Sequence, residues 1–536
     1  MADGPHGSDN WKMSQVLTRR LALAALLANA AAGVLGSPAR ANQRQGADGG
    51  WPAEIALGPP RPFSFEGLKR RAAALAARPY VAPAPLPPEV LHAIDYDAFG
   101  QIAYRRDATL WGRSGGAGVR FFPMARGANV PVAMNVVWQG QARAVDYKLA
   151  LFDMPPGSPA RALGEAAGFG GFRAMNADQQ TDWIAYLGAS YFRSADPFNQ
   201  YGLSARGLAI NTATPRREEF PVFTAFWLEQ DAAGNLVVYA LLDGPSVTGA
   251  YRIRHERSAA GLVQHIDADL HFRAAIERLG VAPLTSMYWY GQSDRKPADD
   301  WRPQIHDSDG LSIWTGAGER IWRPLANPPR VVTNLFLDKT PRGFGLMQRD
   351  RNFADYEDDG AFYDRRPSAW VEPVGDWGAG SVQLVEIPTA RETDDNVVAF
   401  WTPVASPAPG QALSFAYRLH WAAEEPSPLG VARVVATRLG QGGRPGFPSP
   451  PGRRKCVIDF AGGSLAGLRR GDAEAMVTID NDAPVEAVAY PVVGQARWRL
   501  MFDIDAPANA TVNLRAFLRR GGQALSETWI YQLASA

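Results

Sequence analysis

Two stretches of the chain bring carboxylates together with aromatic residues. PQIHDSDGLSIWTG, at residues 303–316, contains His306 and Asp307, and RETDDNVVAFW, at residues 391–401, contains Asp395. Sugars stack on indole and phenol rings, and glycosidic cleavage usually needs one carboxylic acid and one carboxylate. Because the chain has 16 Trp, a carbohydrate cleft is one interpretation. The alternative is that the aromatic residues fill β cores and the carboxylates cap turns.

A second polar pattern occurs in QHIDADLH, where His265, Asp267, Asp269 and His271 alternate with apolar residues. Imidazole and carboxylate are competent metal ligands. Four alternate strand positions span roughly 20 Å, which is too far for one ion, so we interpret the pattern as a solvated strand face. DSDG, at residues 307–310, lacks the later oxygen ligands of a calcium loop. The sequence therefore demands neither a metal nor an organic cofactor.

Composition limits the classes of partner. Lys and Arg are scattered along the chain and the net charge is +1, which argues against a nucleic-acid binder. Cys456 is the single cysteine, so an internal disulfide framework is excluded. A chain of 536 residues is too long for one hydrophobic core, and we expect two or three domains.

The N-terminal segment has the features of an export signal. SQVLTRRLALAALLANAAAGVLGSPARA contains the pair Arg19 and Arg20, then a short apolar run, and it ends in Ala-Arg-Ala at Ala41. This pattern is typical of a twin-arginine signal with a small-x-small cleavage site. We predict that residues 1–41 are a signal peptide and that the protein is periplasmic. The alternative is a membrane anchor or core helix; no other segment is apolar and long enough to span a bilayer.

Alternation of apolar and polar residues predicts an all-β chain. ALSFAYRLHW, at residues 412–421, and RWRLMFDID, at residues 497–505, each place their apolar side chains on one face. An amphipathic helix is expected near residues 65–77. TPVASPAPGQ, at residues 402–411, contains three prolines and a glycine and separates two strand-rich regions.

This linker divides the predicted fold into two β domains. Residues 55–401 are expected to form a large two-sheet sandwich, because the region is too long for an ordinary small sandwich. Residues 411–536 contain about seven short strands, the size and rhythm of an immunoglobulin-like sandwich.

Five longer strings carry a resemblance to a known family. They are LGASYFRSADPFNQYGLSARGLAINTATPRREEFPVFTAFWLE, PQIHDSDGLSIW, QRDRNFADYED, RRPSAWVEP and EIPTARETDDNVVAFW. These strings resemble the periplasmic glucan biosynthesis family, which has branches designated G and D, and the similarity covers nearly the whole mature chain. The twin-arginine leader favours the D branch.

The resemblance implies both a fold and a function. It implies a large N-terminal β-sandwich related to galactose-mutarotase folds, followed by an immunoglobulin-like domain. It also implies a role in osmoregulated periplasmic glucan biosynthesis, with action on β-1,2-linked glucan as an inverting endo-glucanase or as a transglycosylase. A non-catalytic glucan-binding factor that controls the backbone structure is the alternative.

The resemblance also assigns residues. The two essential acids of the family fall on Asp395, as general acid, and Asp307, as general base; the reverse assignment of the two roles stays open. Inverting enzymes usually separate the two carboxyl groups by roughly 6.5–9.5 Å, and the family implies that a longer proton path is possible. Candidate glucan contacts, for each of which core packing is the alternative, are Tyr191, Arg193, Trp314, Tyr356, Trp370, Glu372 and Trp377.

One loop departs from the family pattern. GQGGRPGFPSPPGRR, at residues 440–454, is shorter than the family's usual segment and lacks the aromatic residues often found in it. The preferred acceptor, water or a sugar hydroxyl, therefore stays open. The oligomeric state also stays open, a homodimer included.

Overall fold

The computed structural model describes residues 51–84, 86–112, 118–294, 300–427, 430–444, 446–448, 451–480, 483–505 and 511–534. The predicted signal peptide lies outside these ranges. Strands dominate the described chain, so the prediction of an all-β fold is confirmed. The α-helices are Phe65–Ala76, Pro88–Ala93 and Tyr96–Gly100, and the 3-10 helices are Arg106–Ala108, Leu149–Leu151, Pro159–Ala166, Phe353–Asp355, Tyr363–Arg365 and Gly463–Leu465.

The predicted amphipathic helix is present as Phe65–Ala76. Ser64 caps its first turn, because its hydroxyl accepts a hydrogen bond from the Gly67 amide at 3.1 Å. Leu68 and Ala72 lie on its buried face and pack with residues of the neighbouring sheet.

The first sheet is long and mostly antiparallel. It begins at the paired strands Arg61–Pro62 and Gln141–Ala144. Its further strands, in hydrogen-bonded order, are Ala133–Trp138, Val222–Gln230, Leu236–Asp243, Val247–Ser258, Gly261–Phe272, Ala412–Ala422, Ser368–Val374, Gly343–Met347, Gly310–Trp314, Arg320–Pro324, Thr528–Ala534, Thr511–Arg520, Glu474–Ile479 and Ala483–Pro484. Gln523–Ala524 pairs with the same sheet.

The second sheet faces the first. In order, its strands are Val332–Lys339, Ala379–Glu386, Val397–Pro403, Leu279–Ser286, Ser204–Arg206, Tyr191–Ser194, Asp182–Leu187, Gly171–Met175 and Val119–Phe122, with Leu208–Ile210 also paired to Leu279–Ser286. Smaller sheets are formed by Tyr288–Tyr290 with Ile305–His306, by Ala103–Tyr104 with Phe152–Asp153, and by Arg433–Gln441, Arg453–Ala461, Arg497–Asp505 and Ala487–Pro491.

The two large sheets enclose the first hydrophobic core. Ile253 and Ile266 contribute from the first sheet, and Tyr186 and Trp401 contribute from the second. This arrangement is a β-sandwich, in which each strand places alternate side chains into the core.

The strand Ala412–Ala422 corrects one predicted boundary. The sequence pattern puts this strand at the start of the C-terminal domain, but it is hydrogen bonded to Gly261–Phe272 on one side and to Ser368–Val374 on the other. Its buried residues, among them Trp421, belong to the first core. The second core takes Trp322, Met347 and Trp370 from strands that precede this one, and its remaining residues begin at Ala432.

The second core fills the C-terminal region. It lies between the four-stranded sheet and the last strands of the first sheet. Arg349 connects the two regions: its guanidinium pairs with Glu527 at 2.8 Å and with Glu425 at 2.5 Å, and it lies 3.7 Å above the ring of Trp322. This buried ion pair fixes the first region against the second.

Candidate functional site

Asp307 lies immediately after the short strand Ile305–His306. Its backbone amide donates to the carbonyl of Met287 at 2.9 Å. Its side chain is completely buried and forms an ion pair with Arg366. A buried carboxylate of this kind is costly unless it is paired, so Arg366 is part of what keeps Asp307 in place.

Asp395 lies just before the strand Val397–Pro403 and is partly exposed. Its neighbour Asn396 accepts a hydrogen bond from the Tyr288 amide at 2.8 Å and donates to the Tyr288 carbonyl at 2.9 Å. The Asp307 amide is hydrogen bonded to Met287, the residue that precedes Tyr288. The backbones that carry the two acids therefore flank the same segment, about two strand spacings or roughly 10 Å apart.

The turn that contains Tyr363 and Arg366 contacts both acid-bearing loops. Arg366 pairs with Asp307 and lies 4.0 Å above the ring of Tyr363. The Tyr363 hydroxyl donates to Glu392 at 2.8 Å, three residues before Asp395. This turn therefore holds the two acid-bearing loops in a fixed relation.

Arg206 brings a positive charge to the side of Asp395. It is buried, donates to Thr285 at 2.7 Å and to Glu218 at 3.0 Å, and lies 4.9 Å from the ring centre of Tyr191. Burial lowers the pKa of Arg206, but Tyr191, Glu218 and Asp395 outweigh burial and raise it. Arg206 thus remains a cation beside the predicted general acid.

The other polar residues of the opening stretch point away from Asp307. Both ring nitrogens of His306 contact glutamine oxygens, and burial lowers its pKa to about 4. Asp309 accepts hydrogen bonds from the amides of Arg349 and Asp350, and burial raises its pKa to about 6. These side chains line a small pocket next to the C-terminal region rather than the space beside Asp307.

A cleft of about 1290 Å³ has Phe362 and Arg365 among its lining residues, and these adjoin Arg366, the partner of Asp307. Asp307 and Asp395 themselves do not line it. Its walls carry aromatic, arginine, carboxylate and amide side chains, among them Tyr96, Tyr104, Arg120, Arg173, Gln179, Asp182, Phe198 and Tyr201. These are residue types that stack on sugar rings and bind hydroxyl groups.

Three of the predicted glucan contacts lie near the cleft or the acids. Tyr191 packs against Arg206, and Arg193 lies 4.5 Å from the ring centre of Tyr201, which lines the cleft. Tyr356 is completely buried and accepts a hydrogen bond from Gln348 at 3.0 Å, behind His306.

Four predicted contacts are placed elsewhere. Trp314 lies under the guanidinium of Arg320, and Trp370 is buried in the second core. Trp377 is largely buried in the first core. Glu372 binds Arg418 and His420 on the first sheet. Sugar contact by all seven residues stays a prediction.

Sequence reasoning missed the groups that position the acids. Arg366 follows Asp307 by 59 residues and Tyr363 precedes Glu392 by 29. Arg302 binds Glu392 and Asp358, each at 2.8 Å, and so supports the loop that carries Asp395. The string RRPSAWVEP, which carries part of the family resemblance, contains Arg366. This string was the signal in the sequence that could have indicated Arg366 as a site residue.

The fold and the site define an all-β protein with a cleft suited to carbohydrate. Comparison with known families is more specific, because residues 63–533 match the model described as periplasmic glucan biosynthesis protein, MdoG. The chain therefore belongs to this family, and the resemblance seen in the sequence is confirmed. Its role lies in periplasmic glucan biosynthesis.

Individual relatives support the same assignment. The chain is 48% identical over 499 residues to a protein of Ralstonia nicotianae named glucans biosynthesis protein D 2, with 90% of this chain and 92% of the relative covered. It is 47% identical over 516 residues to glucans biosynthesis protein D of Stenotrophomonas maltophilia, with 95% and 96% covered. Glucans biosynthesis protein D of Xanthomonas campestris pv. campestris is 46% identical over 486 residues, with 89% and 91% covered.

The family description also places the protein in the periplasm. In the part of the chain that the structure describes, no helix has both the length and the apolar character needed to cross a bilayer.

Proposed function

We propose that the protein acts on β-1,2-glucan backbones as an inverting endo-glucanase or transglycosylase. The observation that carries this proposal is the position of Asp307 and Asp395, which flank the segment Met287–Tyr288. A cleft lined with aromatic and arginine side chains reaches Arg365, next to the Arg366 that pairs with Asp307. Inverting cleavage uses one carboxylic acid and one carboxylate on opposite sides of the sugar ring.

The two acids differ in a way that suits separate roles. Asp395 is partly exposed, so its carboxyl can reach the oxygen of a glycosidic bond and act as general acid. Asp307 is buried and held by Arg366, and it acts as general base through water or hydroxyl groups. Their backbones are about two strand spacings apart, a separation compatible with a water between the two side chains.

The substrate and the route of export belong to the same proposal. The glucan binds in the cleft as substrate, with no cofactor or metal, no nucleic acid and no stable membrane insertion.

The protein reaches the periplasm through the twin-arginine pathway, on the basis of the paired arginines before the apolar run at residues 1–41. A homodimer is compatible with this function.

The test is incubation of the purified protein with linear β-1,2-glucan, followed by mass spectrometry of the products. Shorter linear chains that gain one water per cut identify a hydrolase. Products at the mass of a glucan minus one water identify ring closure by transfer.

Asp395→Asn is expected to lower turnover by about a hundredfold or more, because the leaving oxygen loses its proton donor. Asp394→Asn is the matched control, because Asp394 is the adjacent carboxylate and is bonded to Thr389 at 2.8 Å. Equal turnover in Asp395→Asn and wild type would exclude the assignment. Saturable glucan binding with unchanged chain length would instead favour the non-catalytic binding factor.

A further inference from the structure

Three arginines lie together at the end of the cleft that is distant from the acids. Arg120 and Arg173 are directly opposite each other on neighbouring antiparallel strands, and Arg106 lines the same cleft. The strand of Arg173 is five strand spacings, roughly 24 Å, from the strand that follows Asp395. Like charges directly opposite each other across a strand pair destabilise a sheet. The stability of the fold therefore does not explain this pair.

The same face of the sheet carries further arginines toward the acids. Arg173 is opposite Ala185 on the next strand, and Ala185 is opposite Arg193 on the strand after that. Arg206 follows one strand further along, near Asp395. This face of the sheet thus carries a row of arginines, of which Arg120 and Arg173 line the cleft, while alternate residues of the same strands fill the first core.

Arg120 has no anionic partner in direct contact among the described residues. Arg120 is only 5% exposed, and its hydrogen bonds go to the neutral side chains of Thr109 at 2.9 Å and Gln179 at 3.3 Å. Among the described residues, no carboxylate lies within 4 Å of its guanidinium. Burial, followed by repulsion from Arg173 and Arg106, lowers the pKa of Arg120 to about 10.

Asp182 is the carboxylate that acts on both arginines, and it compensates incompletely. It lies 3.7 Å from Arg173, and burial raises its pKa in spite of the neighbouring arginines. The Nε atom of Arg173 is buried and has no hydrogen-bond partner within the described part of the chain. The cleft also carries Asp97, Asp107 and Asp153, and Asp107 pairs with Arg105 at 2.5 Å. Among the described residues, Arg120 and Arg173 together have one carboxylate within ion-pair distance, Asp182, and it contacts Arg173 alone.

We propose that Arg120, Arg173 and Arg106 form an anion-binding subsite that takes a phosphate ester or carboxylate group at the distant end of the cleft. Guanidinium forks match the oxygens of such groups in a bidentate manner. The group is either carried by the glucan or bound as a free anion. The inference rests on the proposed function only where the glucan is the carrier.

The first experiment is calorimetric titration of the full protein with inorganic phosphate, at constant ionic strength and without glucan. Wild type is expected to bind phosphate, and Arg120→Gln and Arg173→Gln are expected to weaken binding at least tenfold. Asp182→Asn is expected to tighten it, because it removes a competing negative charge. Arg252→Gln is the matched control, since Arg252 is bound to Asp267 on the first sheet.

Loss of binding in the two cleft variants alone supports the proposal. Absence of phosphate binding by wild type, or equal binding by wild type and both cleft variants, would overturn it. Because no glucan is present, this result is separate from turnover. If the protein cleaves glucan but does not bind phosphate, only the anion subsite is refuted. If it binds phosphate but does not cleave glucan, only the glucanase proposal is refuted.

A second pair of titrations distinguishes the source of the anion. A β-1,2-linked oligosaccharide that carries a phosphate monoester is compared with the unmodified oligosaccharide. Tighter binding of the phosphorylated sugar, with the difference lost in Arg173→Gln, identifies the glucan as the carrier. Equal binding of the two sugars, together with binding of inorganic phosphate, identifies a free anion.

Discussion

The two sheets of the large sandwich each carry charged residues on the side away from the core, but they balance those charges differently. On the first sheet the charges alternate in sign and pair across strands, as Arg252 does with Asp267 and His265 with Glu256. On the second sheet, Arg120 stands opposite Arg173. A paired, exposed face needs no ligand, whereas an unbalanced, buried one gains stability when an anion binds.

The largest expected effect is at Arg366, where a buried acid depends on its partner. Arg366→Met leaves the Asp307 carboxylate buried without its guanidinium and is expected to lower the free energy of unfolding by about 3–5 kcal/mol. Chemical denaturation measures this change. The double variant Arg366→Met with Asp307→Asn is expected to recover much of the loss, because the uncompensated charge is then absent. A double variant as unstable as the single one would show that packing, not charge, is the cause.

A buried charge that is not balanced need not mark a binding site. Asp309 is the residue that tests this. Its pKa is raised to about 6 by burial, so the folded protein favours the protonated form. The stability from this group is present below its ordinary pKa, near 4, and is lost as pH rises through about 6. Wild type is therefore expected to lose more thermal stability between pH 5 and pH 7 than Asp309→Asn does.

The control for this pH prediction is Asp267→Asn, on the paired face of the first sheet. Thermal unfolding in buffers of matched ionic strength gives the slopes of all three proteins. An Asp309→Asn slope equal to that of wild type would assign the pH dependence to other groups, such as Asp350, whose pKa burial raises to about 7.

Arg120→Gln is expected to have a smaller effect on the free energy of unfolding. Replacing a buried polar residue usually lowers this free energy, but here we do not expect it to fall. It removes a repulsion across the strand pair but also gives up the bond to Thr109. Like charges directly opposite cost up to about 1 kcal/mol, so the free energy of unfolding in phosphate-free buffer should stay equal or rise slightly. A loss of more than about 2 kcal/mol would mean that Arg120 is a structural residue after all.

The sequence was sufficient for features that depend on local pattern. Alternation predicted the strands at residues 412–421 and 497–505, and the apolar spacing after Ser64 predicted the first helix. The role of Asp307 as general base came from the family resemblance and stays a prediction; the structure shows that its side chain is buried beside Arg366. Each of these signals lies within about ten residues of chain.

Features that depend on pairing between distant segments could not be predicted. Alternation shows that Ala412–Ala422 is a strand, but it does not show which sheet contains it, and the domain assignment was wrong there. The contact of Arg120 with Arg173 depends on the register of two short strands that are about fifty residues apart. Arg366 reaches Asp307 only because a later turn folds under the acid-bearing loop.

The smallest expected effect is at Arg252, and it completes the comparison of the two sheets. Arg252 and Asp267 are nearly half exposed, and their bond lies at the surface of the first sheet. Exposed ion pairs contribute at most about 1 kcal/mol, so Arg252→Gln should change the free energy of unfolding by less than that, and the change should shrink further in high salt. Denaturation at low and high ionic strength measures both. A larger effect that persists in salt would mean that the fold depends on a charged residue of the first sheet as well. The difference between the two faces would then no longer distinguish charges that bind a ligand from charges that stabilise the fold.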